Sequence, residues 1–301
     1  MRTGPFAYIY IYMPKRAAPT DNATSSKRFR AAIDESTEEF LCPITQSLPL
    51  DPVLAEDGVV YERRAIEDWL KQHARSPKTN LPMGTKLVPA PAIKNMIERM
   101  VKTGALSEEK TAEWRKRIEE EAQVVELRRK AEAGDLSAAT KLARAYCIGT
   151  LGLSKDSSKA LPLAKQAADG GDPRGMSTLA MIYYVYPAHQ SAALVLRWAA
   201  AAAALGDGAA HILLANLYDH GRAGLPLDKE EGFKLRLKGC EMGSANSRGL
   251  FHLAESYANG TGTAVDADEA AKWMRKVVAR ADPPTYAQRA RDWLSARGLS
   301  P

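Results

Sequence analysis

The side chains of this 301-residue chain best suited to ligate a metal or carry a thioester are three cysteines and five histidines. Cys42, Cys147 and Cys240 stand roughly a hundred residues apart, which is neither a disulfide framework nor metal-ligand spacing. The densest candidate is the stretch EFLCPITQSLPLDPVLAEDGVVYERRAIEDWLKQH, which holds Cys42 and His73. A structural zinc takes four Cys or His ligands, so these two cannot complete a site, and no metal and no cofactor is expected. A nucleophilic thiol needs a base; no His or acid partner is evident beside Cys42, which reads as a buried structural thiol. His189, His211, His220 and His252 have no mutual metal-like spacing and read as surface or satisfied core. What the segment does offer is Asp51, Glu62, Arg63, Ser76 and Thr79, types that cross-link loops through polar contacts. Their spacing leaves open which of them pair.

The elements that must hold these residues follow from periodicity. An Asp57-Gly58 turn between short apolar runs predicts a hairpin. Ala65, Ile66, Trp69 and Leu70 have the spacing of a helix with one buried face. A loop punctuated by Pro77, Pro82, Pro89 and Pro91 precedes a closing helix over AIKNMIERMV, giving a compact α+β unit over 36–105. One charged helix is expected over 106–133, with Trp114, Ile118, Ala122 and Val125 on a single stripe.

From residue 134 to 281 the chain repeats. Gly134, Gly171, Gly206 and Gly243 recur at near-constant spacing, and so does a Leu followed four residues later by Tyr, from Leu142/Tyr146 to Leu253/Tyr257. In three copies a Gly-containing turn ends in Asp156, Asp228 or Asp266, where a helix N-cap is wanted. Each repeat is a helical hairpin, and about four such hairpins stack to bury a shared face. The second copy lacks the Gly turn and has Pro187 instead, predicting a shorter link. A capping helix and tail are expected over 282–301.

Residues 38–103 resemble a U-box in FLCPITQSLPLDPV, GVVYERRAIEDWL, SPKTNLPM and LVPAPAIKNMI, and residues 134–281 resemble Sel1-like repeats of the tetratricopeptide type. The fold class implied is mainly α: a small, zinc-free, RING-like α+β domain followed by an all-α solenoid. The resemblance implies a ubiquitin ligase, an enzyme that binds a ubiquitin-charged conjugating enzyme and acts by orientation, without a covalent intermediate. By motif match the conjugating-enzyme surface includes Ile44, Trp69 and Pro77, an apolar patch of the kind that carries interface energy. Core packing is the rival role for Ile44 and Trp69, and loop shaping for Pro77. Asn80 stands where many U-boxes place a basic, ubiquitin-positioning residue, and Gln46 where many have a second apolar contact. These two departures sustain an alternative, a non-enzymatic scaffold or adaptor. The repeats imply a protein substrate or adaptor as partner.

The net charge of +6 is concentrated in residues 1–30, which carry six basic side chains against one acid and leave the rest near neutral. A nucleic-acid binder needs a basic folded face, so nucleic acid is not an expected partner. The 1–35 segment reads as a disordered basic tail, whose Lys15-Arg16 and Lys27-Arg30 clusters suggest nuclear import of an intracellular protein. Its FAYIYIYM run is too short to span a bilayer of ~20 apolar residues, so no membrane is expected. A start at Met13 is an equal reading of the first twelve residues, and the charged helix leaves a homodimer open.

Overall fold

The computed structural model describes residues 37–280 and 284–300 and divides into two units, one ending at Glu119 and one beginning at Glu120. The basic clusters and the Met13 start lie outside the described residues. In the first unit, a 3-10 turn over Thr37–Phe40 leads into a three-stranded antiparallel sheet of order β2-β1-β3. Its strands are β1 (Pro52–Leu54), β2 (Val60–Glu62) and β3 (Val88–Pro89). Val53 pairs with Tyr61 on one side and Pro89 on the other, so β1 is central. The Asp57-Gly58 turn joins β1 to β2, with Gly58 at φ +75° and its N–H donating to the Ala55 carbonyl.

Helix α1 (Arg63–Leu70) follows β2 directly, and α2 (Pro91–Thr103) starts on Pro91, whose missing N–H costs a first helical turn nothing. The core is in two parts. Cys42, Val53, Ala55, Tyr61, Ile66 and Met83 form one, between sheet and α1. Leu48, Ile97, Val101, Leu106 and Trp114 form the other, under α2 and the start of α3 (Glu108–Glu132).

The single stripe expected on α3 is corrected. Ile118, Ala122 and Val125 are exposed, whereas Thr111, Trp114, Val124, Leu127 and Ala131 are buried. A one-face stripe presumes one neighbour. Trp114 belongs to the first unit's core, and Val124, Leu127 and Ala131 to the second's.

The second unit continues as helical hairpins: α4 (Leu136–Ile148) with α5 (Ser157–Asp169), α6 (Pro173–Val185) with α7 (Ala192–Ala204), α8 (Gly208–His220) with α9 (Lys229–Glu241), and α10 (Ser247–Asn259) with α11 (Ala267–Arg280). Their N-termini are capped by Asp or close analogues, which satisfy N–H groups a helix start leaves free. Asp156 accepts from the Ser158 and Lys159 amides, Asp228 from Glu231, and Asp266 from Asp268 and Glu269. The recurring glycines Gly134, Gly171, Gly206 and Gly243 all adopt positive φ. In the second hairpin the link runs from Tyr186 to Ser191 through a 3-10 turn over Pro187–His189, against Gly149 to Asp156 in the first. Helix α12 (Pro284–Ser295) buries Ala290 and Leu294 in the core shared with Leu253, Trp273 and Met274. Among the described residues no helix is long and apolar enough to cross a membrane.

Candidate functional site

Two loops of the first unit have the same construction. In the first, the Cys42 amide donates to the Ser47 carbonyl at 3.0 Å and the Gln46 amide to the Cys42 carbonyl at 2.8 Å. In the second, the Ser76 amide donates to the Leu81 carbonyl at 2.9 Å and the Asn80 amide to the Ser76 carbonyl at 3.0 Å. Each loop has a proline at its second position, Pro43 or Pro77, and each turns back through a residue of positive φ, Gln46 at +55° and Asn80 at +59°. Left-handed backbone suits Asn better than most side chains. Asn80 therefore has a conformational reason for its place, independent of any partner. Gln46 instead uses its amide locally, donating to the Pro43 carbonyl at 2.8 Å.

Hydrogen bonding anchors both loops to the sheet. Asp57 is one node: its carboxylate accepts from the Tyr61 hydroxyl at 2.8 Å, the Ser76 hydroxyl at 2.6 Å and the Val59 amide at 3.0 Å. Ser76 Oγ in turn accepts from the Lys78 and Thr79 amides, so the second loop is tied to the β1–β2 turn. Burial, opposed by the Ser76 hydroxyl and reinforced by the Asp57 carboxylate, pushes the Tyr61 phenol up to about 12. Glu56 extends the same side, accepting from the Gly84 and Lys86 amides.

Glu62 is the second node. It accepts from the Leu50 and Asp51 amides at 2.8 and 3.2 Å and from Arg117 at 2.7 Å. Arg117, on α3, also donates to the Ser47 hydroxyl and the Leu48 carbonyl, holding the end of the first loop. Arg63 pairs with Asp51 at 2.6 Å beside this node. Of the polar residues expected to cross-link loops, Asp51 with Arg63, Glu62 and Ser76 do so. Thr79 Oγ1 makes only a local 3.4 Å contact with the Leu81 amide. Asp57, Tyr61 and Arg117 were not expected. Asp57 carries only a turn signal in the sequence, and Arg117 lies 55 positions from Glu62, with no local signal linking them.

On this frame, Ile44 and Trp69 are both half-buried and pack against the core containing Cys42, Tyr61 and Ile66. The Trp69 indole donates to the Arg75 carbonyl at 2.8 Å, and its ring stacks on His73 at 4.2 Å between centroids. Arg75 also donates to the Asn80 carbonyl at 3.1 Å, so α1 and the second loop are coupled through Arg75. Pro77 is half-buried, and Asn80 is exposed. Cys42 is fully buried, out of reach of a substrate. The arrangement is a braced pair of loops flanking a helix with a partly exposed aromatic.

A cross-braced fold with these motifs matches the U-box domain family over 37–104. Residues 37–104 are a U-box domain. The Sel1 repeat family matches 136–172, 208–244 and 247–277. The gap between the first two matches is the hairpin that lacks the Gly turn, although its helices have the same lengths as its neighbours'. Among curated relatives, the WD repeat, SAM and U-box domain-containing protein 1 of Gallus gallus is 47% identical over 68 residues, 22% of this chain and 14% of its own length. The Homo sapiens protein of that name is 44% identical over 68 residues, again 22% and 14%. The putative U-box domain-containing protein 53 of Arabidopsis thaliana is 42% identical over 53 residues, 18% of this chain and 6% of its own. This chain thus spans only a small part of each of these relatives' length. Among solved structures, a protective antigen of uropathogenic Escherichia coli displaying an SLR fold aligns with TM-score 0.48 and 21% identity, over 68% of this chain and 49% of its own. A Sel1 repeat protein from Oxalobacter formigenes aligns with TM-score 0.44 and 24% identity, over 57% and 48%.

Proposed function

We propose that the protein is a ubiquitin ligase whose U-box binds a ubiquitin-charged conjugating enzyme and whose Sel1 repeats hold the protein to be modified. The observation that carries this reading is the pairing of half-buried Ile44 and Trp69 on one core, beside loops fixed by Asp57, Ser76 and Arg117. Rigid loops flanking an apolar anchor suit a positioning catalyst: the gain comes from holding ubiquitin's thioester and an attacking lysine in one geometry. Ile44, Trp69 and Pro77 form the conjugating-enzyme contact, and Asn80 offers ubiquitin a neutral amide. Such an amide hydrogen-bonds a carbonyl less strongly than a guanidinium does. An intracellular site of action, where charged conjugating enzymes are available, belongs to the same reading.

Ubiquitination in vitro with a panel of conjugating enzymes tests it. Chains should form with the wild type, vanish with Ile44→Ala, and increase with Asn80→Arg if the variant stays folded. Arginine at a left-handed position costs about 1 kcal/mol, so its melting temperature must be read alongside. Folded protein that forms no chains with any conjugating enzyme defeats the proposal and leaves the scaffold.

A further inference from the structure

We propose that the concave groove of the repeat stack docks an acidic peptide segment bearing aliphatic side chains, carried by the recruited protein; this deepens the recruitment reading and rests on it. The groove encloses about 1110 Å³, lined mainly by α4, α6, α8 and α10. That exceeds the ~300–1,000 Å³ of small-ligand sites and suits a length of chain.

Its charge is one-sided. Five cations line it, Arg144, Arg222, Lys229, Arg236 and Arg248, against two carboxylates. Both carboxylates are already neutralised. Asp219 pairs with the buried Arg236, which also donates to Asn216 Oδ1 at 3.1 Å. Glu255 pairs with the Arg289 guanidinium at 3.3 Å, and the neutral His252 ring hydrogen-bonds it through Nδ1 at 3.2 Å. The other four cations are exposed, and among the described residues none pairs with a carboxylate. Arg222 donates to the Tyr184 hydroxyl, Lys229 to the Asp219 carbonyl, and Arg248 to His252 Nε2. Such contacts orient the cations without cancelling their charge. In the same groove Ile148 and Val185 are 51% and 55% exposed, with Met181 among the lining side chains. A peptide with carboxylates and leucines satisfies both features. An oligonucleotide would answer the cations and leave Ile148 and Val185 in water.

The test is fluorescence anisotropy on the full chain, with a short labelled peptide carrying two acidic residues for each leucine. Its controls are the same peptide with Asn and Gln replacing the acids, and an oligouridine. The acidic peptide should bind about tenfold or more tightly than its amide counterpart, with affinity falling as salt shortens the Debye length below ~10 Å. Arg144→Glu and Arg248→Glu should each weaken it about tenfold while circular dichroism stays unchanged, Arg144→Gln less so, and Ile148→Asp comparably to the charge reversals. Equal binding of the amide peptide, wild-type affinity in both charge-reversal variants, or oligouridine binding in preference to the peptide would overturn the proposal. Fusing the peptide to a lysine-bearing reporter separates the two readings in a ubiquitination reaction. Binding without reporter modification retires recruitment and keeps the groove. Modification that survives Arg144→Glu with Arg248→Glu keeps recruitment and removes the groove.

Discussion

Asp57 gathers three donors, from Tyr61, Ser76 and Val59, so its loss would strand two hydroxyls and free the second loop. Hydrogen bonds to a charged acceptor are worth about 1.5–3 kcal/mol each, so Asp57→Ala should destabilise the U-box by ~3 kcal/mol. Amide hydrogen exchange confined to residues 37–104 reads that loss without interference from the repeats. Tyr61 adds a pH signature. Its folded pKa of about 12 lies above the ordinary 10.0, so between those values the unfolded chain releases the phenolic proton first. Stability from this group is therefore complete below about pH 10 and lost as pH rises toward 12. Urea midpoints at increasing alkaline pH should fall for the wild type and fall less steeply for Tyr61→Phe. The thiols behave alike for the same reason: burial raises Cys147 to about 11 and Cys240 to about 12. Neither should be alkylated in the native protein at neutral pH.

Among the elements, α3 contributes more than its position after the U-box suggests. Arg117 reaches Glu62 with both side chains mostly buried, and breaking such a pair by deleting one partner costs ~3 kcal/mol. Arg117→Ala should therefore loosen the first loop and lower ubiquitin chain formation, whereas Arg129→Ala, whose exposed partner is Glu126, should do neither. The repeat turns have their own grading. At Gly262, φ is +73° and an added Cβ would run into the Lys229 carbonyl; at Gly134, φ is +91° with nothing within 4 Å. Gly134→Ala should cost about 1 kcal/mol from backbone conformation alone, and Gly262→Ala several times that. Urea unfolding of the two variants side by side checks the order.

Across the whole molecule, binding and transfer should separate. Ile44→Ala should abolish ubiquitin chains and leave acidic-peptide binding at its wild-type affinity. Arg144→Glu with Arg248→Glu should do the reverse, sparing unanchored chain formation while losing the peptide. Either pair of variants moving both readouts together would deny that recruitment and transfer reside in different units. This chain spans only 14% of the length of the Gallus gallus and Homo sapiens relatives, so their likeness carries no information about its repeats.

The sequence alone determined the order of the main elements and the register of the repeats. These depend on local signals: an Asp-Gly turn, recurring glycines, and Asp at helix starts. It also determined Ile44 and Trp69 as residues to watch, but not what braces them. Only the tertiary structure decided that Asp57 and Glu62 are the nodes, that Arg117 reaches the first loop, and that α3 buries Val124, Leu127 and Ala131 instead of Ile118 and Val125. The basic groove belongs there too, since Arg144, Arg222 and Arg248 lie in three different hairpins. Polar cross-links and surface fields join residues far apart in the chain, and neither leaves a period in the sequence.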